Sequence, residues 1–85
     1  MRKIIETDEK PLDLLIGETV TLLCAAYFYT GKLTGVNDYC VELEDPSIVY
    51  ETGKWDSPTW ADAQPLPTKH LYVTLGSIEG FGVLK

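Results

Sequence analysis

The chain is short of the residues that most chemistry needs. Its 85 residues include one histidine, two cysteines and one methionine. A hydrolase or transferase requires a nucleophile with a base, paired carboxylates or a metal cluster. His70 is the lone histidine, set between Lys69 and Leu71 at the opening of a strand-like run. Such a histidine reads as structural, not catalytic. No Gly-x-Ser-x-Gly, phosphate loop or Gly-x-Gly-x-x-Gly occurs. Gly76 and Gly80-Phe81-Gly82 do not open a helix, so no nucleotide cradle is expected. Cys24 and Cys40 lie in no metal-spaced cluster, and read as reduced, buried small hydrophobes, with a redox pair the minority reading. No cofactor, metal or catalytic centre is expected. Basic residues are also scarce, 7 against 13 acids, for a net charge of −6. That argues against gripping phosphates over the whole surface, and leaves room for a small local patch. No apolar run approaches the length of a membrane span. The start, Met1-Arg2-Lys3-Ile4-Ile5-Glu6, reaches an acid too early for a secretory leader, which points to the cytosol.

What is present describes one small domain over residues 1–85. Apolar residues make up 45% and charged residues 24%, the balance of a globular chain. A domain this small leaves much surface exposed, so self-association would help it. Residues 1–10 are mixed and charged, a lead-in. Pro11-Leu12-Asp13-Leu14-Leu15-Ile16-Gly17 has proline where a helix starts and glycine where one stops. It predicts a short N-terminal helix with Leu12, Leu15 and Ile16 able to share a face.

From Thr19 the pattern becomes β. Thr19 to Cys24 is β-branched and apolar. A reversal at Ala25-Ala26 leads into aromatic Tyr27-Phe28-Tyr29. Gly31 and Gly35, four apart within a strand pattern, predict sharp bending. Asn37-Asp38 signals a turn, and Val41-Glu42-Leu43-Glu44 alternates as a half-buried strand does. Asp45-Pro46 interrupts that strand, and Ile48-Val49-Tyr50 continues it past a bulge. Residues 53–68, punctuated by Gly53, Pro58, Pro65 and Pro67, read as a long loop between the third and fourth strands. Leu71–Leu75 and Ile78–Leu84 are the last two strands, joined tightly at Gly76-Ser77. The expected fold is mostly β: a short helix, then a five-stranded, strongly bent antiparallel small barrel.

Two features sit outside that frame. Glu42, Glu44 and Asp45 cluster, and read as an exposed strand face before a metal site. Trp55 and Trp60 lie in the long loop. They are either folded back and buried or exposed as a docking surface for a protein partner.

Laid end to end, these elements resemble the Sm-like family. Pro11-Leu12-Asp13-Leu14-Leu15 is similar to that family's leader helix. Tyr29-Thr30-Gly31 and Gly31-x-Leu33-x-Gly35-Val36 look like its first motif, Leu43-Glu44-Asp45 like the close of the next strand, and Val73-Thr74-Leu75-Gly76 lies where its second motif falls. The resemblance implies a homo-oligomeric ring of five to seven copies, joined by pairing the fourth strand of one subunit with the fifth of the next. Leu71, Val73, Leu75, Ile78, Phe81 and Val83 would form that contact. It also implies binding of single-stranded RNA or DNA at the pore, at Asn37, Asp38, Tyr39, Gly76 and Ser77. A base would stack on Tyr39, a contact worth roughly 1–3 kcal/mol that tolerates any base. The family's base-gripping Asn falls on Val41 and its pocket-closing Arg on Leu75, so both hydrogen-bonding arms are replaced by apolar residues. The alternative is a ring that binds no nucleic acid and docks a protein through Trp55 and Trp60.

Overall fold

A computed structural model describes residues 12–83. The expected lead-in 1–10, and Leu84, lie outside the described residues. Six strands form one antiparallel sheet: β1 (Thr19–Cys24), β2 (Phe28–Val36), β3 (Cys40–Glu51), β4 (Asp62–Pro65), β5 (His70–Thr74) and β6 (Ile78–Val83). Neighbours run β4-β3-β2-β1-β6, and β5 pairs the other half of β3. The β1 limits coincide with the β-branched run that predicts them. Ala25-Ala26 lies in the reversal, which carries Leu23 back to Phe28.

The bending has a local cause. Thr30 pairs Ser47 and Lys32 pairs Glu44, so Gly31 alone faces two residues, Asp45 and Pro46. This is a β-bulge, which kinks a strand and increases its twist. Asp45 takes the left-handed conformation at φ 50°, a region that Asp tolerates better than most residues. Gly31 is required there: a Cβ would come within 3.1 Å of the Glu44 carbonyl oxygen and 3.2 Å of the Pro46 Cα. A second bulge leaves Thr34 unpaired between Leu33 and Gly35. Beyond the first bulge β3 continues through Ile48-Val49-Tyr50, as the sequence predicts.

The core follows the alternation of these strands. Val20, Leu22, Leu33, Val41 and Leu43 are wholly buried, joined by Leu12, Cys24 and Val73. Leu15, Leu71, Leu75 and Ile78 pack against them. Each wholly buried Val or Leu contributes roughly 1.5–3 kcal/mol by leaving water.

Three expectations are corrected. The N-terminal helix is a single 3₁₀ turn, Asp13–Leu15, with no side-chain cap. Ile16 is already extended, and Gly17, at φ 97°, donates its N–H to the Leu33 carbonyl at 2.8 Å. That cross-link draws the chain onto β2 before a second turn can form, so Ile16 leaves the Leu12 face and is exposed. Second, the described residues form six strands, not five: β4 lies inside the expected long loop and pairs Ser47–Glu51. All four β4 residues are exposed, so no apolar alternation announces it. Third, the sheet does not close into a barrel. The 3₁₀ turn Leu75–Ser77 joins β5 to β6, yet β5 pairs β3 and β6 pairs β1, leaving both outer edges open among the described residues.

Candidate functional site

Asn37-Asp38-Tyr39 links β2 to β3, and Leu75-Gly76-Ser77 links β5 to β6. The sheet brings the two turns together. Cys40 pairs Thr74 across β3 and β5, and the Leu75 N–H donates to the Tyr39 carbonyl at 2.9 Å. All five residues expected at a pore therefore lie at one edge. Within the first turn the Asn37 side-chain carbonyl accepts from the N–H groups of Tyr39 (2.7 Å) and Cys40 (2.8 Å). Asn is suited to this because its side chain mimics a backbone carbonyl. Asn37 is thus occupied in shaping the turn. Tyr39 is the side chain the turn displays, 80% exposed. In the second turn the Ser77 hydroxyl donates to the Thr74 carbonyl at 2.9 Å. Gly76 is exposed, with open space where a Cβ would stand.

Val41, where the resemblance would place a gripping Asn, is wholly buried in the core. Leu75, where the resemblance would place an Arg, is half-buried against the same core. Neither side chain is presented to a ligand. Tyr39 and the backbone groups of the two turns are what this edge offers. Cys24 stands behind it. Burial raises its thiol above the usual range, against a smaller lowering by a hydrogen bond with Ser77 and a further rise from Glu79. Cys24 and Cys40 are both free thiols; Cys24 is buried, whereas Cys40, expected to be buried too, is only half-buried because it stands at the start of β3 beside the turn.

Beside the edge is a cleft of ≈ 230 Å³ lined by Gly35, Val36, Asn37, Cys40, Glu42 and Tyr72. Sequence reasoning did not single out Tyr72. Its signal is its place two residues from Thr74 on a strand whose core side is Leu71 and Val73. The Tyr72 hydroxyl donates to Glu42 Oε2 at 2.7 Å, and the Thr34 hydroxyl donates to Glu42 Oε1 at 2.6 Å. These bonds, Thr34 first, hold the Glu42 carboxyl below the usual glutamate range. The same carboxylate raises the Tyr72 hydroxyl. Glu42 and Glu44 both lie on the outer face, where Glu44 Oε2 is 3.9 Å from His70 Nε2. Among the described residues no group of His, Cys, Asp and Glu could hold a metal ion. No helix among them is long and apolar enough to cross a membrane.

The two tryptophans part company. Trp60 folds back: its Nε1–H donates to Thr21 Oγ1 at 3.1 Å, and its ring meets Phe28 edge-on at 5.9 Å. Trp55 is 74% exposed, touching Phe28 at 6.4 Å between ring centroids. Of the residues expected at a subunit contact, Val73 is buried within the chain's own core. Leu71, Leu75 and Ile78 are half-buried against it. Phe81 and Val83 are exposed on the β6 edge.

Compared with known proteins, the chain matches no family model, no curated protein and no solved structure.

Proposed function

We propose that this chain is an Sm-like, non-catalytic ring subunit that binds single-stranded nucleic acid at the edge formed by Asn37, Asp38, Tyr39, Gly76 and Ser77. The observation that carries this reading is the junction of the two turns through Leu75 and Tyr39, with the Tyr39 ring left free. The strand order β6-β1-β2-β3-β5, open between its ends, supports assembly. Among the described residues β5 and β6 each have one unpaired edge, and pairing β5 of one copy with β6 of the next removes both. A head-to-tail contact of this kind closes into a ring when its rotation permits.

With no Lys or Arg in the site, binding rests on stacking more than on phosphates. Fluorescence anisotropy with short labelled RNA and DNA oligomers tests this. The wild type is expected to bind with weak salt dependence and little base preference. Tyr39→Ala should lower affinity by roughly 5- to 150-fold, the equivalent of about 1–3 kcal/mol. Affinity untouched by that change sinks the site.

The second reading, a ring that docks a protein, is favoured by exposed Trp55 and the −6 net charge. Pull-down of one partner that is lost with Trp55→Ala, together with no oligomer binding, would decide for it.

A further inference from the structure

Of the side chains around the cleft beside the two turns, one is charged: Glu42. Its carboxylate is fixed from both sides. The Thr34 hydroxyl donates to Oε1 at 2.6 Å and the Tyr72 hydroxyl to Oε2 at 2.7 Å. Both bonds favour the ionised form. They do not saturate it. A carboxylate oxygen accepts at two positions, so one remains on each oxygen after the two hydroxyls are served. Two parallel acceptors bearing a negative charge match a pair of adjacent N–H donors.

The rest of the cleft suits a flat group. Gly35, cross-strand from Glu42, puts no side chain beside the carboxylate. Val36 and Cys40 line it and are half-buried. The Tyr72 hydroxyl is spent on Glu42, which leaves its ring as a stacking surface. The volume, ≈ 230 Å³, is below the roughly 300–1,000 Å³ that holds a drug-sized molecule. Asn37 belongs to both the cleft and the first turn. Its Oδ1 already accepts the Tyr39 and Cys40 N–H groups, so what it can offer a ligand is its amide NH₂, a donor.

The cleft thus presents two acceptors on one carboxylate, and one amide donor. On their Watson–Crick edges the bases differ in what they return. Guanine alone has two adjacent N–H donors, at N1 and N2, beside a carbonyl acceptor, O6. Adenine and cytosine have a ring-nitrogen acceptor next to the amino group, and uracil flanks its single N–H with two carbonyls. Each of these would turn a lone pair on the carboxylate, a mismatch that costs binding. A phosphate is rejected by the same charge. We propose that this cleft is a guanine-selective subsite of the nucleic-acid edge, in which Glu42 accepts from N1–H and N2–H, the Asn37 amide donates to O6, and the Tyr72 ring stacks on the base. The inference rests on the nucleic-acid reading above and deepens it. Stacking on Tyr39 takes any base, and selection enters at one further nucleotide.

The test is fluorescence anisotropy on the full chain with labelled uridine oligomers that carry one central guanosine, one inosine in its place, or neither. Inosine lacks only the N2 amino group. The wild type is expected to bind the guanosine strand at least about tenfold more tightly than the inosine strand, as loss of one hydrogen bond to a charged group should give. That comparison needs no variant. Glu42→Gln, its fold checked by circular dichroism, should abolish the preference, because an amide replaces one of the two acceptors with a donor. Tyr39→Ala should weaken all strands and leave their ratios intact. If the wild type binds the three strands alike while Tyr39→Ala weakens them, the subsite is wrong and the stacking site stands. Full guanosine preference in Glu42→Gln also overturns the subsite. Chemical-shift changes at Glu42 and Tyr72 on adding arginine amide, without any guanosine preference, would give the cleft to the guanidinium of a protein partner. No binding of any strand removes the nucleic-acid reading and this subsite together.

Discussion

The two halves of β3 are one strand by hydrogen bonding and two regions by burial. Cys40–Glu44 lies between β2 and β5, with Val41 and Leu43 wholly buried against Val73 and Leu71. Ser47–Glu51 lies between the start of β2 and β4, and buries Val49 beside a partner strand that is exposed throughout. Asp45 and Pro46 separate them. The Asp45 N–H donates to the Lys69 carbonyl at 3.0 Å, and the Pro46 carbonyl accepts from Leu66 at 2.9 Å. The bulge thus anchors the strand while turning it. The first half builds the core and leads out of the Asn37–Tyr39 turn. The second displays Tyr50 and the loop that carries Trp55. A strand can be divided between stability and display by one extra residue.

The largest expected effect is on the core half. Leu43→Ala should destabilise the chain by about 2–5 kcal/mol, since it removes a wholly buried side chain and leaves a cavity. Val49→Ala should cost less than half as much, because fewer methyl groups are lost and Val49 lies outside the main buried cluster. Denaturant unfolding of both variants checks this. Equal losses would mean that the two halves share one core.

The next effect falls on the divide itself. Gly31→Ala sets a methyl group against backbone atoms of Glu44 and Pro46, which must give by a few tenths of an ångström. A loss of about 1–3 kcal/mol is expected, the range of overpacked sites. Gly35→Ala is the comparison, since its Cβ would make an ordinary 3.6 Å contact with Glu42. It should cost little. Thermal unfolding of the pair measures how sharply the bulge needs its glycine.

How far the sequence discloses this structure follows the same division. β1 and the core half of β3 are legible because apolar and polar residues alternate under a sheet with one buried face. The bend is legible because Gly31 and Gly35 stand four apart within a strand pattern, while the pairing of Gly31 against Asp45 and Pro46 is seen only in the fold. β4 is not legible, since a strand exposed on both faces has no pattern. The missing helix was hidden for another reason: proline and glycine mark its ends, while the Gly17–Leu33 bond that cuts it short comes from across the fold. At the candidate site, the turn residues are visible locally. That Val41 faces the core follows from the alternation of its strand, whereas the engagement of the Asn37 side chain by its own turn emerges only from the turn's geometry. Tyr72 is missed because its partner, Glu42, lies 30 residues away.

The smallest expected effect concerns the outer face of the core half. Glu42 ties three strands together, accepting from Thr34 on β2 and Tyr72 on β5. The display half has Gln64 donating to Asp62 within β4 and Trp60 reaching Thr21, neither of which spans three strands. Because hydrogen bonds hold the Glu42 carboxyl below its ordinary range in the folded chain, the unfolded chain binds its proton more readily. Glu42 therefore contributes stability above the ordinary glutamate range, and that contribution is lost as pH falls through its lowered value. Glu42→Gln removes the titration and weakens the acceptor. The thermal midpoint of the variant should lie slightly below wild type at neutral pH, and the gap should close on acidification past the ordinary glutamate range. A gap that is constant with pH would show that the carboxylate acts by shape alone. The network would then be a neutral brace of the core half, with no charge at stake beside the proposed nucleic-acid edge.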